Sequence, residues 1–555
     1  MDRTLFERNL LALSLRDGCL CSRLTAAQTT LGRYRFLDSR SGETVPALAD
    51  PAGAARPLHS LVDPRREGAR LLGSLAPAEG FLVFLGLGGG YYQEAALERQ
   101  DTQQVLVVEY DINGTAELLA SKEYIGLFND PRFCLLVDPS PSALEEHLLG
   151  SWQPVLQGGI RVIPLRPRVD GESGRFALAG EAIKKAIDRL SADYSVQAYF
   201  GRRWFSNIIR NVFLAEKSKK PLPPIKKAAI CAAGPSLDRQ LSLLAEPDEK
   251  RFIIACDTAL PALLKNALTP DAVVSIDCQH ISYYHFMWGL PPHIPLFLDL
   301  ASPPLLGSLS SNFRFFSGGH PLTRYISRYW RSFPELDTSG ANVAYAALSL
   351  ADYLGAEDIK LYGADFSYPL GRTYARGTYL NPYFACRQNR LSPLEALSSA
   401  FLYRNTAMEK APGAGWYYET AVLKSYREGI EAKARSIKAT VSSAEGLGAP
   451  ISLPRGGEKK AALPSNTIRL FSAGKAGADA ASFLKQYRSG IKALPKASGS
   501  MARYLRTLDE EERRILTTLL PAGAAIKRQK PELNGAAVLE AVKAYSLKEL
   551  DAVLK

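Results

Sequence analysis

The sequence predicts an α/β protein in which parallel strands alternate with helices, and three patterns support this fold class. Short apolar runs of strand length recur along the chain, as at Phe81–Leu85 and Phe252–Cys256. Glycine-containing turns follow two of these runs and lead into helical patterns, and aspartates follow several others. Buried parallel strands have this uninterrupted apolar character because helices cover both faces of the sheet.

Length and composition indicate a globular protein of about three domains. The chain has 555 residues, of which 46% are hydrophobic and 22% charged. No apolar run approaches the roughly 20 residues that span a bilayer. The first ten residues are charged where a signal peptide needs an apolar centre, so we expect a cytoplasmic protein.

Cysteine usage and charge exclude some classes of function. The seven cysteines are odd in number and show no zinc spacing, which disfavours a disulfide framework and a structural metal. Much of the net charge of +12 lies after residue 455. A solvated basic tail accounts for such an excess, and because no nucleic-acid-binding motif accompanies it we expect no nucleic-acid partner.

Residues 1–165 are expected to form a Rossmann-like domain. Three predicted strands alternate with helical patterns, the glycine-rich turn Gly86–Gly90 follows the first strand, and Glu109 follows the second. Folds that bind nucleotide cofactors use such an acid to hold ribose hydroxyls. The glycine spacing is not the dinucleotide fingerprint, so we expect this domain to serve structure or assembly.

Three further regions are expected after this domain. Residues 166–224 are predicted to be a helical connector with helices at 176–198 and 204–215, closed by a linker rich in proline and lysine. Residues 225–455 are predicted to form the central domain. Residues 456–555 are predicted to be a helical region, with helices at 480–487, 500–519 and 535–554.

The central domain opens with an apolar strand pattern that runs into Gly234, Pro235 and Ser236. Gly234 permits a tight turn, Pro235 suits the first turn of a helix, and Ser236 can bond to its free N–H groups. Such a helix start binds phosphate, because the free N–H donors and the helix dipole point the same way. An ordinary strand-to-helix turn is the alternative.

Acidic residues follow the predicted strands of the central domain. Open parallel sheets bind ligands beyond the carboxyl ends of their strands. Each acid alone could be a helix cap or a turn residue, but several at one edge suggest a site for sugar hydroxyls, a base edge or a metal ion. The four aspartates at such ends are Asp257, Asp277, Asp299 and Asp365.

A second glycine-associated helix start is predicted at Thr338, Ser339 and Gly340. Thr338 and Ser339 are candidate N-caps, and Gly340 leaves room for a ligand. One helix start could hold the phosphate of a nucleotide and the other its ribose or base.

The segment after Asp365 is polar, aromatic and basic. Four of its side chains, Tyr368, Arg372, Tyr374 and Arg376, can donate hydrogen bonds to phosphate oxygens. A surface loop with incidental aromatic residues is the alternative.

Three segments of the central domain carry a family resemblance. Gly234-Pro-Ser-Leu237, Thr338-Ser-Gly340 and Gly363-Ala-Asp-Phe366 are similar to bacterial sialyltransferases that use CMP-sialic acid. The whole chain resembles the motility-associated factor (Maf) flagellin glycosyltransferases, which place a Rossmann-like domain before this sialyltransferase-like α/β domain and a helical region after it. The central domain also resembles an archaeal pterin diphosphokinase of the MptE type.

The sialyltransferase resemblance implies roles for the matching residues. The segment from Gly234 to Ser236 would contact the donor phosphate and ribose, Thr338 to Gly340 would hold the cytidine, and Asp365 would join in donor binding. Tyr368 and Tyr374 match two tyrosines that hydrogen-bond the departing phosphate.

The resemblance is incomplete at the general base. Asp257 and Asp277 stand where those enzymes carry asparagines facing donor and acceptor, and both are candidate bases. The sialyltransferases use a histidine that follows the second tyrosine, and this chain has no histidine after His320. His280 and His285 lie near the strand end at Asp277, so one of them could reach the site.

The expected function is transfer of a nonulosonic, sialic-acid-like sugar from a CMP-type donor to Ser or Thr of flagellin, with no required cofactor or metal. Two alternatives stay open. One is a Mg²⁺-dependent diphosphokinase of the 6-hydroxymethylpterin type, in which Asp257 and Asp277 bind the metal. The other is a non-enzymatic flagellin chaperone or assembly factor. The sequence does not predict the oligomeric state.

Overall fold

The computed structural model describes residues 3–27, 32–49, 55–76, 79–220, 222–246, 251–404, 408–413, 415–454, 479–497 and 500–555. Outside these ranges lie residue 221 of the predicted linker, residue 455 at the end of the predicted central domain, and residues 456–478 at the start of the predicted C-terminal region. The chain forms two compact units. The first comprises residues 1–201, 493–516 and 520–545, and the second comprises 202–492, 517–519 and 546–555. Each unit contains a parallel sheet with helices between its strands, so the predicted α/β fold class is confirmed.

The first unit has a four-stranded parallel sheet and a three-stranded antiparallel sheet. Its strands are β1 Tyr34–Asp38, β2 Thr44–Ala49, β3 Ala55–Pro57, β4 Phe81–Leu85, β5 Gln104–Glu109, β6 Phe133–Val137 and β7 Ile160–Pro164. The parallel sheet has the order β6-β5-β4-β7, and the antiparallel sheet has the order β1-β2-β3.

Alternate side chains of β4 pack on opposite faces of the parallel sheet. Leu82 and Phe84 join one hydrophobic cluster, and Phe81, Val83 and Leu85 join the other. Both faces are apolar because helices cover both. The helices of this unit are Arg3–Ser14, Gly18–Thr25, Pro64–Gly73, Tyr91–Glu98, Ile112–Leu119, Ile125–Asn129, Pro141–Ser151, Pro154–Gln157, Arg166–Gly171 and Met501–Thr507, with the larger parts of Ser173–Ala215, Glu510–Gln529 and Gly535–Leu554.

The predicted break between helices at 176–198 and 204–215 is wrong, because one helix runs from Ser173 to Ala215. Gly201 lies within the predicted break. A Cβ atom at Gly201 would lie 1.8 Å from the carbonyl oxygen of Pro521. This glycine therefore allows close packing against another helix rather than ending its own.

The predicted single helix at 500–519 is also wrong. The chain forms Met501–Thr507 and then Glu510–Gln529. Asp509 starts the second helix through a capping box, in which its side chain accepts from the Glu512 N–H and the Glu512 side chain accepts from the Asp509 N–H.

The glycine-rich turn of the first unit is filled by side chains of the unit itself. Gly88 has φ +53°, and a Cβ atom there would lie 2.6 Å from Nε2 of His59. That same Nε2 accepts a hydrogen bond from the Gly89 N–H at 2.9 Å, and the Tyr124 hydroxyl donates to the Gly88 carbonyl at 2.7 Å. The Leu87 and Gly89 N–H groups of this turn, which could meet a phosphate, are therefore already used within the protein.

Glu109, the acid after the second strand of this sheet, is also satisfied internally. It is fully buried, accepts from the Leu87 N–H at 2.8 Å, and forms an ion pair of 2.7 Å with Arg168. Arg168 is likewise fully buried. This pairing is consistent with a structural role for the Rossmann-like sheet.

The second unit is built on a seven-stranded parallel sheet with the order β12-β11-β10-β9-β8-β13-β17, beside a small antiparallel sheet with the order β14-β16-β15. The strands are β8 Lys227–Cys231, β9 Phe252–Cys256, β10 Ala272–Ser275, β11 Leu296–Asp299, β12 Phe313–Phe316, β13 Asp358–Tyr362, β14 Tyr368–Pro369, β15 Glu409–Gly413, β16 Gly415–Glu419 and β17 Thr440–Ser443.

Helices cover the second sheet as the strand pattern requires. Val343–Tyr353 packs on β8, β9 and β10 through a buried, alanine-rich face. None of the described helices in the chain is both long enough and apolar enough to cross a membrane. The other α-helices of this unit are Leu237–Leu244, Leu260–Lys265, Pro304–Gly307, Pro321–Tyr329, Leu380–Ala385, Leu394–Leu402, Ala421–Ser436 and Ala480–Ala493, and its 3-10 helices are Asp257–Ala259 and His280–Phe286.

We predict that Arg168→Met destabilises the first unit by about 3–5 kcal/mol, because it leaves the buried Glu109 carboxylate without its cation. Urea unfolding of the full chain measures the change. Arg56→Met is the control: its partner is Asp170, both side chains are more than half exposed, and the expected loss is at most about 1 kcal/mol. Equal losses in the two variants would contradict a structural role for the buried pair.

Candidate active site

The topological switch point of the seven-stranded sheet lies between β8 and β13. Strands β9 to β12 extend the sheet on one side of β8, and β13 and β17 extend it on the other. Open sheets bind ligands in the crevice at such a point. Gly234 follows β8 and Gly363 follows β13, and the Gly234 N–H donates to the Gly363 carbonyl at 2.9 Å. The predicted helix start therefore lies at the place where the topology favours a site.

Ser236 and Asp365 join the loops at this point. The Asp365 carboxylate accepts hydrogen bonds from the Ser236 N–H, at 2.8 Å, and from the Ser236 hydroxyl. The Ser236 oxygen accepts in turn from the Leu447 N–H at 2.7 Å, and the Ala449 N–H donates to the Asp365 carbonyl at 3.0 Å. Both Ser236 and Asp365 are buried. They hold three loops together.

This junction reduces the number of free N–H groups that the helix start at Gly234 to Ser236 presents to a phosphate. The N–H of Ser236 is bound to the Asp365 carboxyl group, and Pro235 has no N–H. Burial raises the pKa of Asp365, although the hydrogen bonds from Ser236 oppose that shift. An acidic group of the protein already lies where a phosphate would meet the Ser236 N–H. Direct contact of these residues with a donor stays a prediction.

The second predicted helix start has a different cap from the one expected. The helix begins at Val343, and Asn342 caps it by accepting from the Tyr345 N–H at 2.9 Å. Thr338 and Ser339 as N-caps are therefore wrong. The Thr338 hydroxyl donates to the Gly318 carbonyl at 3.1 Å, and the Ser339 hydroxyl donates to Asp337 at 2.7 Å.

Gly340 faces a side chain of the protein rather than open space. A Cβ atom at Gly340 would lie 2.2 Å from a ring carbon of Tyr345. The expectation that Gly340 leaves room for a ligand is therefore wrong, because the Tyr345 ring occupies the space beside its Cα. The glycine is needed because the Tyr345 ring packs against its backbone.

Asp337 organises the segment that contains Thr338 and Ser339. Its carboxylate accepts from the Tyr345 hydroxyl at 2.7 Å and from the Lys433 ammonium group at 3.1 Å. Burial would raise the pKa of Asp337, but the hydrogen bonds from Ser339 and Tyr345 and the charge of Lys433 outweigh it and lower the pKa to about 2. The carboxylate is therefore ionised at neutral pH.

Two of the predicted aspartates lie beyond the neighbouring strands β9 and β10. Asp257 is buried and accepts from the Thr258 N–H at 2.7 Å and from the Ser275 hydroxyl at 2.6 Å. Asp277 is half-buried and accepts from the Gln279 N–H at 2.9 Å. Burial raises the pKa of Asp277, and the charge of Asp257 adds to that effect. Both carboxylate oxygens of Asp257 are hydrogen-bonded within the protein. Asp277 uses one oxygen in this way, which leaves the other oxygen available to a ligand.

Asp299, the aspartate at the end of β11, is buried and accepts from the Ala301 N–H at 2.8 Å. His320 lies 3.9 Å from its carboxylate and packs against Trp204, with ring centroids 4.5 Å apart. This aspartate is thus one strand further from the switch point than Asp277.

Tyr368 and Tyr374 are half-buried in one neighbourhood. Burial raises the pKa of both phenols, and Tyr368 and Asp257 contribute to the increase at Tyr374. Among the described residues, neither phenol oxygen has a hydrogen-bond partner. Protonated phenols without partners are available as neutral hydrogen-bond donors.

The loop that carries Tyr374 is fixed to the switch point. The Ala375 N–H donates to the Ala233 carbonyl at 2.8 Å. Arg372, which was expected to meet phosphate, instead binds the Asp238 carboxylate, and the Arg376 N–H donates to that carboxylate at 2.8 Å. The arginines help to hold the loop in place.

Sequence reasoning missed Tyr379 and Arg404 of this cluster, although it noted Tyr426 as part of an aromatic and basic segment. Tyr379 and Tyr426 carry pKa values raised by burial and then by charges that include Asp277, and the charge of Arg404 lowers the pKa of Tyr368, Tyr374 and Tyr379. The sequence around Tyr379 and Arg404 contains no local pattern that predicts this grouping. Only the folded chain brings them together.

A pocket of about 350 Å³ opens on the other side of the switch point, beyond β13 and β17. Its lining combines backbone of the loop after β17 with a few polar side chains, and includes Gln240, Asp365, Pro412, Ser443, Gly446 and Ile451. The Asp365 junction therefore borders this pocket.

We predict that Gly448→Ala destabilises the second unit by about 1–3 kcal/mol or more. The added methyl would lie 2.4 Å from the carbonyl oxygen of Asp365. The control is Gly429→Ala within helix Ala421–Ser436, where the nearest atoms lie at an ordinary 3.9 Å, so the variant should be neutral or more stable by up to about 1 kcal/mol. Thermal unfolding compares the two, and a Gly448 variant as stable as the control would refute the tight junction.

We predict that Asp337 stabilises the second unit at neutral pH and loses this effect in acid. Its pKa is lowered from 3.8 to about 2 in the fold, so the contribution is present above pH 3.8 and is lost as pH falls through about 2. The difference in unfolding midpoint between the wild type and Asp337→Asn should therefore shrink between these pH values. A difference that is constant with pH would contradict this assignment.

Comparison with known proteins places this geometry in context. Residues 204–371 match the family model of 6-hydroxymethylpterin diphosphokinase MptE-like proteins. In structure, the chain is similar to the Maf glycosyltransferase from Magnetospirillum magneticum AMB-1, with a TM-score of 0.60 and 14% identity over 100% of this chain and 96% of that one. At this identity the likeness concerns the fold.

Sequence relatives occur in Treponema pallidum strain Nichols, where they carry the name uncharacterized protein. One is 35% identical over 151 residues, which are 26% of this chain and 54% of the relative. A second is 33% identical over 141 residues, which are 25% of this chain and 67% of the relative. The chain thus spans about half the length of the first of these relatives. This protein belongs to the family of the second relative, and it carries an MptE-like domain within a fold like that of the Maf glycosyltransferase.

Proposed function

We propose that this protein is a cytoplasmic glycosyltransferase that moves a nonulosonic, sialic-acid-like sugar from a CMP-type donor to Ser or Thr of flagellin. The fold shared with a Maf glycosyltransferase supports the class of reaction. The observation that carries the proposal is the pair of phenols at Tyr368 and Tyr374, which lack partners among the described residues. Tyr374 is close enough to Tyr368 and Asp257 for both to raise its pKa.

The proposed reaction separates charge at the donor. As the bond from the sugar to the phosphate breaks, negative charge grows on the phosphate and the sugar becomes oxocarbenium-like. Neutral phenols fixed beside the phosphate lower the barrier, because they donate to charge that develops in the transition state. Their raised pKa keeps them protonated at neutral pH. This chemistry needs no resident cofactor or metal.

The two loops identified in the sequence would border the donor. In the proposal Gly234, Pro235 and Ser236 lie on the phosphate and ribose side, with Asp365 holding Ser236 in position. The segment from Thr338 to Gly340 lies on the cytidine side, held by Asp337. Asp277 and Asp257 face the reacting sugar and the acceptor hydroxyl.

A second candidate function follows from the family model, which matches MptE-like diphosphokinases over residues 204–371. Mg²⁺ commonly binds one or two carboxylates together with substrate phosphates. Asp257 and Asp277 would supply those carboxylates. Within the described part of the chain, no group of three or more His, Cys, Asp or Glu side chains is arranged to hold a metal ion.

Two measurements test the proposal. Intact-mass analysis of flagellin from cells with and without this protein should show sugar mass only when the protein is present. Isothermal titration should show binding of CMP in the presence of EDTA. Binding of ATP that strictly requires Mg²⁺, with flagellin mass unchanged, would favour the diphosphokinase. Flagellin binding without any change in its mass would favour a non-enzymatic assembly factor.

We predict that the double change Tyr368→Phe and Tyr374→Phe lowers the rate of sugar transfer by at least about 100-fold, by analogy with loss of one oxyanion donor. CMP affinity should change much less, because the phenols act on charge that develops during the reaction. Tyr353→Phe is the matched control, since Tyr353 ends a helix of the same unit. The measurements are the rate of sugar addition to flagellin and CMP titration.

Two outcomes would contradict this role for the phenols. One is a transfer rate in the double variant equal to that of the control. The other is a loss of CMP affinity as large as the loss of rate, which would assign the phenols to ground-state binding.

A further inference from the structure

His285 is buried in the second unit, where its ring contacts that of Tyr379. It lies in the 3-10 helix His280–Phe286, which closely follows Asp277 and packs against the helices that begin at Asp257 and Leu260. The side chain is 8% exposed, and its Nδ1 atom has no hydrogen-bond partner among the described residues. A buried polar atom without a partner is costly, which favours a function for it.

His285 contacts residues that belong to the proposed site. Its ring meets the ring of Tyr379 edge to face, with centroids 4.7 Å apart. Tyr379 in turn belongs to the same group as Tyr374 and Arg404. The imidazole also acts on Asp277, whose pKa it lowers against the effect of burial. His285 therefore contacts the tyrosine group and acts electrostatically on the Asp277 carboxylate beyond β10.

We propose that His285 is the general base that accepts the proton of the acceptor hydroxyl, with Asp277 stabilising the imidazolium that forms. This proposal rests on the proposed glycosyl transfer. The acceptor oxygen forms a bond to the anomeric carbon as the bond from that carbon to the phosphate oxygen breaks. The bonding electrons leave with the CMP phosphate, and the hydroxyl proton moves to the imidazole. A base oriented by a carboxylate is a recurrent catalytic arrangement.

The other histidines of the second unit fit this role less well. His320 is already beside the Asp299 carboxylate and packed against Trp204. His280, on the same short helix as His285, and His293 are both exposed. Asp257 is engaged by Thr258 and Ser275. Histidine is the side chain most often used for such proton transfer, and His285 combines burial with an unpartnered nitrogen.

The test compares His285→Ala and His285→Gln with His280→Ala in cells that produce flagellin. General-base removal should lower the initial rate of sugar addition, followed by intact mass, by at least about 100-fold. His280→Ala should leave the rate unchanged. CMP affinity, measured by titration of the purified full chain, should stay within about threefold of the wild type in all variants. The glutamine variant retains polar volume in the buried position and guards against a general loss of folding.

Three outcomes separate the possible failures. Transfer by both His285 variants at the wild-type rate would overturn the assignment of the base while leaving the proposed function intact. So would a fall in CMP affinity and thermal midpoint in both variants that matches the fall in rate, since it would indicate a packing role. If the wild type neither binds CMP nor adds mass to flagellin, the proposed function fails and the base assignment fails with it.

Discussion

The hydrogen bonds between Ser236 and Asp365 set the geometry of the second unit's strand-end loops. A buried carboxyl group is costly unless it is hydrogen-bonded, and here the N–H and hydroxyl of Ser236 satisfy it. Through the Leu447 N–H the same serine also holds the loop after β17. The tight approach requires glycine at Gly446 and Gly448, where a Cβ atom would meet Ser236 and Asp365. The switch point of the sheet is therefore a tightly packed junction, and the pocket of about 350 Å³ is formed against it.

This packing leaves a particular set of groups free for chemistry. Arg372 is bound to Asp238, and Asp257 to Thr258 and Ser275. The partly exposed phenols and the half-buried Asp277 remain. In the proposed transfer an anion departs and a hydroxyl attacks, and neutral donors together with a carboxylate suit such a reaction. The hydrogen-bonded residues around the site hold the phenols and Asp277 in place. Electrostatic preorganisation requires catalytic groups that are held in this way.

The sequence could predict the elements whose signals are local. The apolar runs at Phe81–Leu85 and Phe252–Cys256 form strands with those bounds, because an apolar strand pattern is a short-range signal. Contacts between distant residues could not be predicted in this way. Ser236 and Asp365 are 129 positions apart. The cap of helix Val343–Tyr353 was misplaced because Thr, Ser and Asn have similar capping preferences, and the choice of Asn342 depends on how the whole segment is anchored by Asp337.

The two units show why a glycine-rich turn after a strand is ambiguous evidence for a ligand. Such a turn indicates that something approaches the backbone closely. In the first unit that partner is the side chain of His59, and Glu109 is paired with Arg168. In the second unit the partner at Gly234 is the loop of Gly363 and Asp365. The distinction between a structural turn and a site therefore lies in the neighbouring polar groups. The Leu87 and Gly89 N–H groups of the first unit's turn form hydrogen bonds within the unit. In the second unit, the hydroxyl groups of Tyr368 and Tyr374 and Nδ1 of His285 have no hydrogen-bond partner among the described residues.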